Sequence, residues 1–435
     1  MTLPFFIEDR RIAAVDDGPE GLQLYYENDW REAREAFPIS LSMPLKAADH
    51  SPEVIAYWLM NLLPEGEPLR AMTRALGVAR EDILGLIAET GRDLAGALTI
   101  AAPRPGEAPG MVRIAGPDDL ERIIEELPSK PFLVGEDGVS MSLAGAQEKL
   151  PLTRDGEGLA VPINGAPSTL ILKPDNPRLS GSVQNEALCM VLARRCGLPV
   201  AAVTTAVAGA RSYLLVERYD REVRDGRIVR LHQEDFCQAM ARPPAAKYQH
   251  NRTGRQGPSL AEMFDLVRAH MTAREINRLL DAVIFNIAIG NVDSHAKNYS
   301  ILLSAGRPTL APLYDLMSGL VWPGITQNHA QDIGGQQRGR HIYARHWRRM
   351  AEAAGLAGPA TVRRVAALTA RIVAELPAAS DEVAAMPAGA HAGLANLAAE
   401  IGQRAALVGA HSQEEGADGD DAALEPAADM GAYPS

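Results

Sequence analysis

Asn291-Val292-Asp293-Ser294-His295-Ala296-Lys297-Asn298, continued downstream by Leu313-Tyr314-Asp315-Leu316, sets an Asp, an Asn five residues later, and a second Asp seventeen residues beyond that. Phosphoryl transfer calls for these residue types in this order. A loop carboxylate takes the proton of the attacking hydroxyl, while an amide oxygen and a second carboxylate hold metal under a triphosphate. On this reading Asp293 is the base, and Asn298 and Asp315 are hard oxygen donors suited to Mg²⁺. The same residues also fit a polar turn whose Asn and Asp side chains bond their own backbone.

The flanking sequence can be tested against that chemistry. Ile276, Leu279, Leu280, Val283 and Ile287 recur at helical spacing, opened by the capping-box sequence Thr272-Ala273-Arg274-Glu275 and closed by Gly290. Such a helix delivers Asp293 onto a loop at its C-terminal end. Upstream, residues 149–153, 169–173, 200–207 and 212–217 read as strands, with one helix over about 184–196. Lys173 ends an apolar strand and Glu186 follows thirteen residues later on that helix. A strand lysine paired with a helix glutamate can hold the α- and β-phosphates; a solvent-reaching lysine and a solvated glutamate are the plainer alternatives. Ala144-Gly145-Ala146-Gln147-Glu148-Lys149 has a single glycine and is no Walker sequence, yet with Ser140 and Ser142 it is chemically apt beside a triphosphate. Glu217 and Tyr219 close a strand, where backbone groups can meet adenine or simply enter a charged hairpin. His295 and Lys297 can contact the γ-phosphate, or His295 can fix the loop by hydrogen bonds. The basic run from Arg338 to Arg349 around Trp347 fits a solvated helix face or a surface for an acidic partner.

Length and composition bound the rest. A chain of 435 residues exceeds one ordinary core. The reading divides it into 1–110, a small α/β unit; 111–256, a strand-rich lobe; 257–411, mostly helical; and 412–435, an acidic tail expected to be disordered. The Pro- and Gly-rich stretch 101–116 reads as a linker. The tail holds seven acids and no Lys or Arg, so over half of the net charge of −12 sits there. An acidic body argues against broad non-specific DNA binding. Three isolated cysteines, no apolar leader and no long apolar run predict a cytoplasmic protein without a membrane span.

Taken together, these segments resemble the HipA family, the serine/threonine-kinase toxins of bacterial HipBA toxin–antitoxin modules. Ser142–Lys149 is similar to its phosphate loop, Leu172-Lys173-Pro174 to its lysine strand and Val216-Glu217-Arg218-Tyr219-Asp220-Arg221 to its hinge. Gln233-Glu234-Asp235, the Asp293 loop and Pro312-Leu313-Tyr314-Asp315 follow in the family's order. Leu41-Ser42-Met43-Pro44-Leu45 and Asn61-Leu62-Leu63-Pro64-Glu65-Gly66 are similar to its N-terminal subdomain. The resemblance implies an α+β, two-lobed, protein-kinase-like fold with an extra N-terminal α/β subdomain and an all-helical C-terminal lobe. It implies ATP held by Ala144, Gly145, Ala146, Gln147, Glu148, Lys149, Lys173, Glu217, Tyr219, His295 and Lys297, and Mg²⁺ held by Asn298 and Asp315. It further implies autophosphorylation at Ser142, a HipB-like helix-turn-helix antitoxin as partner, DNA reached mainly through that antitoxin, and a translation-related protein substrate such as an aminoacyl-tRNA synthetase. His295, where protein kinases carry a lysine, follows HipA. The alternatives are a small-molecule kinase of the phosphotransferase type and a catalytically silent co-repressor.

Overall fold

The first 26 residues form three antiparallel strands, β1 (Thr2–Ile7), β2 (Arg10–Gly18) and β3 (Gly21–Tyr26). In the computed structural model, which describes residues 1–47, 49–101, 106–156 and 158–416, β4 (Leu98–Ile100) completes this sheet in the order β3-β2-β1-β4. Helices α1 (Asn28–Arg31), α2 (Pro52–Met60), α3 (Gly66–Leu76) and α4 (Ile83–Thr90) accompany the sheet. Phe5, Ile12, Trp58, Leu59 and Ile87 are buried in their common core. The turn Pro64-Glu65-Gly66 between α2 and α3 faces the rest of the molecule, which is where it matters below.

The second sheet is six-stranded and antiparallel. It comprises β5 (Gly110–Arg113), β6 (Leu150–Asp155), β7 (Gly158–Ile163), β8 (Leu170–Pro174), β9 (Val203–Ala208) and β10 (Arg211–Glu217), in the order β5-β7-β6-β8-β10-β9. The stretch read as a linker therefore supplies an edge strand, β5; residues 102–105 lie outside the described residues. Helix α5 (Pro117–Glu126) buries Leu120, Ile123 and Ile124 in a core shared with this sheet. Helix α6 (Ser182–Arg195) is buried from Ser182 to Ala193 because it lies between the sheet and later helices. Glu186 thus points inward and is not a solvated helix residue.

Beyond a short hairpin, β11 (Arg221–Arg224) and β12 (Arg227–Arg230), the chain enters the third body. Strand β13 (His232–Asp235) and helix α7 (Phe236–Ala239) fall in the span read as the strand-rich lobe. They join this body because β13 pairs with a later strand. Helices α8 (Leu260–His270) and α9 (Ala273–Ile289) follow, then β14 (Ser300–Leu303) and β15 (Thr309–Leu310), with sheet order β13-β14-β15. A further pair, β16 (Asn328–Ile333) and β17 (Gln336–Arg338), precedes α10 (Ala344–Ala353), α11 (Gly358–Ala384) and α12 (Leu394–His411). The expectation of an all-helical lobe is corrected by these four strands. Each is short, and a brief apolar run such as Ser300–Leu303 has no period that separates strand from helix.

Two local expectations on α9 come out differently. The helix ends at Gly290 with φ of 70°, the left-handed cap expected of glycine. At its start the Thr272 hydroxyl makes no cap bond. Glu275 instead accepts from Arg278 at 2.7 Å and from the Leu310 backbone at 2.9 Å, fastening α9 to β15. At the C-terminus, the Glu414 carbonyl accepts from Ala344 N at 2.9 Å and the Glu415 carboxylate pairs with Arg348. The basic run on α10 thus meets the beginning of the chain's own acidic segment, whose remainder from residue 417 lies outside the described residues. Among the described residues no helix is long and apolar enough to cross a membrane.

Candidate active site

Strand β8 buries Leu170 and Leu172, and its next-to-last residue is Lys173, whose ammonium is turned inward. There it meets Glu186 Oε1 at 2.6 Å and Asp315 Oδ1 at 2.7 Å. The strand lysine and helix glutamate are therefore a buried pair, and the apolar-run Asp joins them. Burial would raise the Asp315 carboxyl, but Lys173 and Lys149 outweigh it and hold the group at about 2. Burial lifts Glu186 above the ordinary carboxylate range, with Lys173 opposing. Asp315 is itself in the left-handed region, φ 57°, a conformation Asp tolerates better than most residues. Leu313 fixes the approach, its N–H donating to Pro199 O at 2.8 Å and its carbonyl accepting from Ala201 N at 2.9 Å.

Asp293 lies on the loop after α9, opposite this pair. Its backbone is held by Asn291, whose Oδ1 accepts from Asp293 N at 3.2 Å, and by Asn298, whose Nδ2 donates to the Asp293 carbonyl at 2.8 Å. The Tyr248 hydroxyl donates to the Asp293 carboxylate. Burial raises that carboxyl to about 6, against the pull of Lys247 and the Tyr248 hydrogen bond. The local backbone bonds of a polar turn are thus present, and the carboxylate also faces a cleft of about 440 Å³ shared with Lys173, Asn298 and Asp315.

The phosphate-loop candidates line the same cleft. Ala144, Gly145, Ala146, Gln147, Glu148 and Lys149 form one wall. Lys149 Nζ curls back to donate to Ala144 O at 2.6 Å, and burial together with repulsion from Lys173 brings its ammonium down to about 8. Gly145 has φ of 109° and pairs with Pro64, its carbonyl accepting from Glu65 N at 3.0 Å. Ser142 is fully buried behind this wall and donates to Leu62 O at 3.0 Å. The loop is therefore seated on the N-terminal unit.

Glu217 and Tyr219 stand at the opposite rim. The Glu217 side chain is exposed and 3.8 Å from Arg154, while its N–H donates to Ala202 O at 2.8 Å. Tyr219 stacks on Tyr314 with ring centroids 5.7 Å apart and donates to Gln233. The His295 ring is buried against Tyr248, 5.1 Å centroid to centroid; burial and Lys247 push its pKa far down, so it is neutral, and its Nδ1 has no partner. Lys297 requires a correction. It borders the cleft, but its ammonium donates to Asn61 Oδ1 at 2.6 Å, Asn61 O at 3.2 Å and Asp235 Oδ2 at 3.1 Å. Three donors on three protein acceptors leave none for a nucleotide.

Further residues shape the site; of these Lys247, Tyr248 and Asp93 carried no signal in the sequence. Lys247, just ahead of Tyr248, pairs with Glu65 at 2.8 Å. Glu234 accepts from Ser40 at 2.5 Å and from Leu41 N at 2.8 Å, so a motif near the cleft is used for docking residues 40–41. Asp93 meets Arg221 at 3.0 Å and Arg218 at 3.6 Å, and Arg218 also donates to Leu94 O at 2.7 Å. Asp220 completes this buried network through Arg218 at 2.7 Å and the N–H of Gly96 at 2.7 Å. Apart from the local pair Arg218–Asp220, these partners lie more than a hundred positions apart in the sequence.

Comparison with known proteins follows this geometry. A family profile described as the HipA-like C-terminal domain matches residues 141–398, and one described as the HipA N-terminal domain matches residues 3–101. Y4mE of Sinorhizobium fredii, provisionally named a kinase, is 39% identical over 353 residues, 78% of this chain and 82% of that protein. The serine/threonine-protein kinase toxin HipA of Shewanella oneidensis is 31% identical over 359 residues, 79% of this chain and 81% of that protein. The solved complex of Shewanella oneidensis HipA, HipB and operator DNA contains a chain that superposes with a TM-score of 0.79 at 27% identity, over 94% of this chain and 96% of that one.

Proposed function

The chain belongs to the HipA family of kinases, and from that premise we propose that it is an Mg·ATP-dependent protein serine/threonine kinase, the toxin of a toxin–antitoxin pair. The observation that carries the reading is Lys173, bound at once to Glu186 and Asp315 across the cleft from Asp293. In the proposed reaction a substrate hydroxyl oxygen attacks the γ-phosphorus, the bond from that phosphorus to the bridging oxygen breaks, and ADP leaves with the electron pair. The hydroxyl proton passes to the Asp293 carboxylate. Lys173 and Lys149 hold the phosphate chain, with the loop from Ala144 to Lys149 along it, and Glu217 and Tyr219 border the adenine.

The residues present fit Mg²⁺. Asn298 spends its Nδ2 on the Asp293 carbonyl, leaving Oδ1 toward the cleft, and Asp315 is ionised with one oxygen beyond Lys173. One amide and one carboxylate oxygen suit a cation that otherwise keeps phosphate and water ligands. Bound there, the metal would neutralise charge on the phosphates.

Ser142 is the proposed autophosphorylation site. Its hydroxyl is buried, and a phosphate adds about −1.5 to −2 charge beside a site for another polyanion, so modification would force the loop off Leu62 and Pro64. The proposed partner is a HipB-like antitoxin, by likeness to the relative solved with HipB and operator DNA. The proposed substrate class is a translation-related protein such as an aminoacyl-tRNA synthetase. The test is incubation of the purified chain with Mg·ATP, then intact-mass and peptide spectrometry. One phosphate at Ser142, absent in Asp293→Asn, is expected. No phosphate on the chain or on any protein of a cell extract would reject the kinase reading.

A further inference from the structure

We propose that Lys247, from outside the Asp293 loop, supplies the cation that steadies the transferred phosphoryl group, and that Tyr248 orients the Asp293 carboxylate beside it. The assignment rests on the phosphoryl-transfer reading above and deepens it.

The case starts from where the cleft's charges are spent. The transferred group carries negative charge on its equatorial oxygens, and fixed positive charge on the acceptor side lowers the barrier. The Asp293 loop brings no such charge of its own. The His295 ring is packed edge-on against Tyr248, and Lys297 gives its hydrogens to Asn61 and Asp235. Lys173 is engaged by Glu186 and Asp315, and Lys149 by the Ala144 carbonyl. Among the described lysines lining the cleft, Lys247 is the one whose own backbone is bonded to the Asp293 loop and whose neighbour bonds the Asp293 carboxylate.

Its placement is fixed by the loop it serves. The Lys247 carbonyl accepts from Ala296 N at 3.1 Å, which ties the backbone of Lys247 to the segment between Asp293 and Asn298. The next residue, Tyr248, donates to the Asp293 carboxylate and packs edge-on against His295. The Lys247 ammonium lies 5.7 Å from the Tyr248 ring centroid. Its ion-pair partner is Glu65 at 2.8 Å, a carboxylate on the turn between α2 and α3 that also lies 4.0 Å from Lys297. Lys247 therefore reaches the cleft balanced by a carboxylate of the N-terminal unit, on the turn that also pairs with Gly145. It forms and breaks no bond; the proton still goes to Asp293 and the electron pair to ADP.

The test compares self-phosphorylation of the full chain in Mg·ATP for Lys247→Met, Lys247→Arg, Glu65→Gln and Tyr248→Phe, alongside ATP dissociation constants and melting temperatures. Lys247→Met is expected to turn over about 100-fold more slowly or worse at saturating ATP, with ATP affinity within about threefold of the parent, the pattern of an interaction made in the transition state. Lys247→Arg should recover part of the loss. Tyr248→Phe should slow turnover at unchanged ATP affinity. Glu65→Gln breaks the ion pair yet keeps the ammonium, and should lose about tenfold at most. A Lys247→Met protein as fast as the parent overturns the proposal. So does a Glu65→Gln loss equal to that of Lys247→Met at similar melting temperature, since the pair would then be only structural. A parent chain that transfers no phosphate would overturn the kinase reading itself, which an active parent with an unimpaired Lys247→Met would not.

Discussion

Lys297 Nζ lies 2.6 Å from Oδ1 of Asn61, a residue 236 positions earlier, and so binds the loop carrying Asp293 to the N-terminal sheet unit. The pair is buried on both sides. A cation this enclosed needs its acceptors, since an unsatisfied buried charge costs more than the hydrogen bond returns.

Asn61→Ala should therefore lower stability by about 1–3 kcal/mol, read as a shift of the urea midpoint. An unshifted midpoint would show that water replaces the amide without loss.

Asp315→Asn removes the charge that pairs with Lys173 and, in the proposed reaction, would hold the metal. Nucleotide binding should lose its dependence on Mg²⁺ while ATP without metal binds as well or better, because Lys173 is released toward phosphate. Calorimetry with and without Mg²⁺ checks this. A retained Mg²⁺ dependence would remove Asp315 from the metal site.

In the proposed reaction Asp293 accepts the proton as a carboxylate, and burial raises its carboxyl to about 6. Turnover per bound ATP should fall as pH drops below about 6 and level off above it, since only the ionised form accepts the proton. Single-turnover self-phosphorylation between pH 5 and pH 8.5 reads the limb. A flat profile would separate the step from this group.

Burial raises Glu234 to about 8, from an ordinary value of 4.5. The folded chain then holds this proton where the unfolded chain releases it. The associated stability is complete below 4.5 and is lost as pH climbs toward about 8. Glu234→Gln, uncharged throughout, should flatten that decline in denaturant midpoints measured across the range. An identical decline would place its origin elsewhere.

Gly145 has φ of 109°, and a Cβ there would come within 2.6 Å of Lys149 Nζ. The ammonium can swing away, but the backbone strain stays, at about 1–3 kcal/mol. Gly145→Ala should weaken ATP binding and lower the melting temperature together. Parent-like binding would mean that the loop relaxes without cost.

The parts legible in sequence were those with a period or a local cap. The helix ending at Gly290 and the strand carrying Lys173 follow from apolar spacing and a glycine stop; spacing alone left open whether Lys173 and Glu186 turn inward, which the burial of α6 decides. Strands β14 to β17 were missed because two to six residues carry too little pattern. Lys247 and Tyr248 were missed for another reason: an aperiodic loop gains its meaning from distant partners, here Glu65 and Asp293. Lys297 shows the same limit from the other side. Its place between Asp293 and Asn298 suggested a phosphate contact, and only the three-dimensional position of Asn61 shows where its hydrogens go.

The N-terminal unit holds the small sheet's exit through Asp93 and Gly96, and the Asp293 side through Asn61, Glu65 and residues 40–41. It therefore acts as a strut between the two walls of the nucleotide cleft. Parting those walls would require the Asp93–Arg221 and Glu65–Lys247 ion pairs and the Asn61–Lys297 bond to part with them.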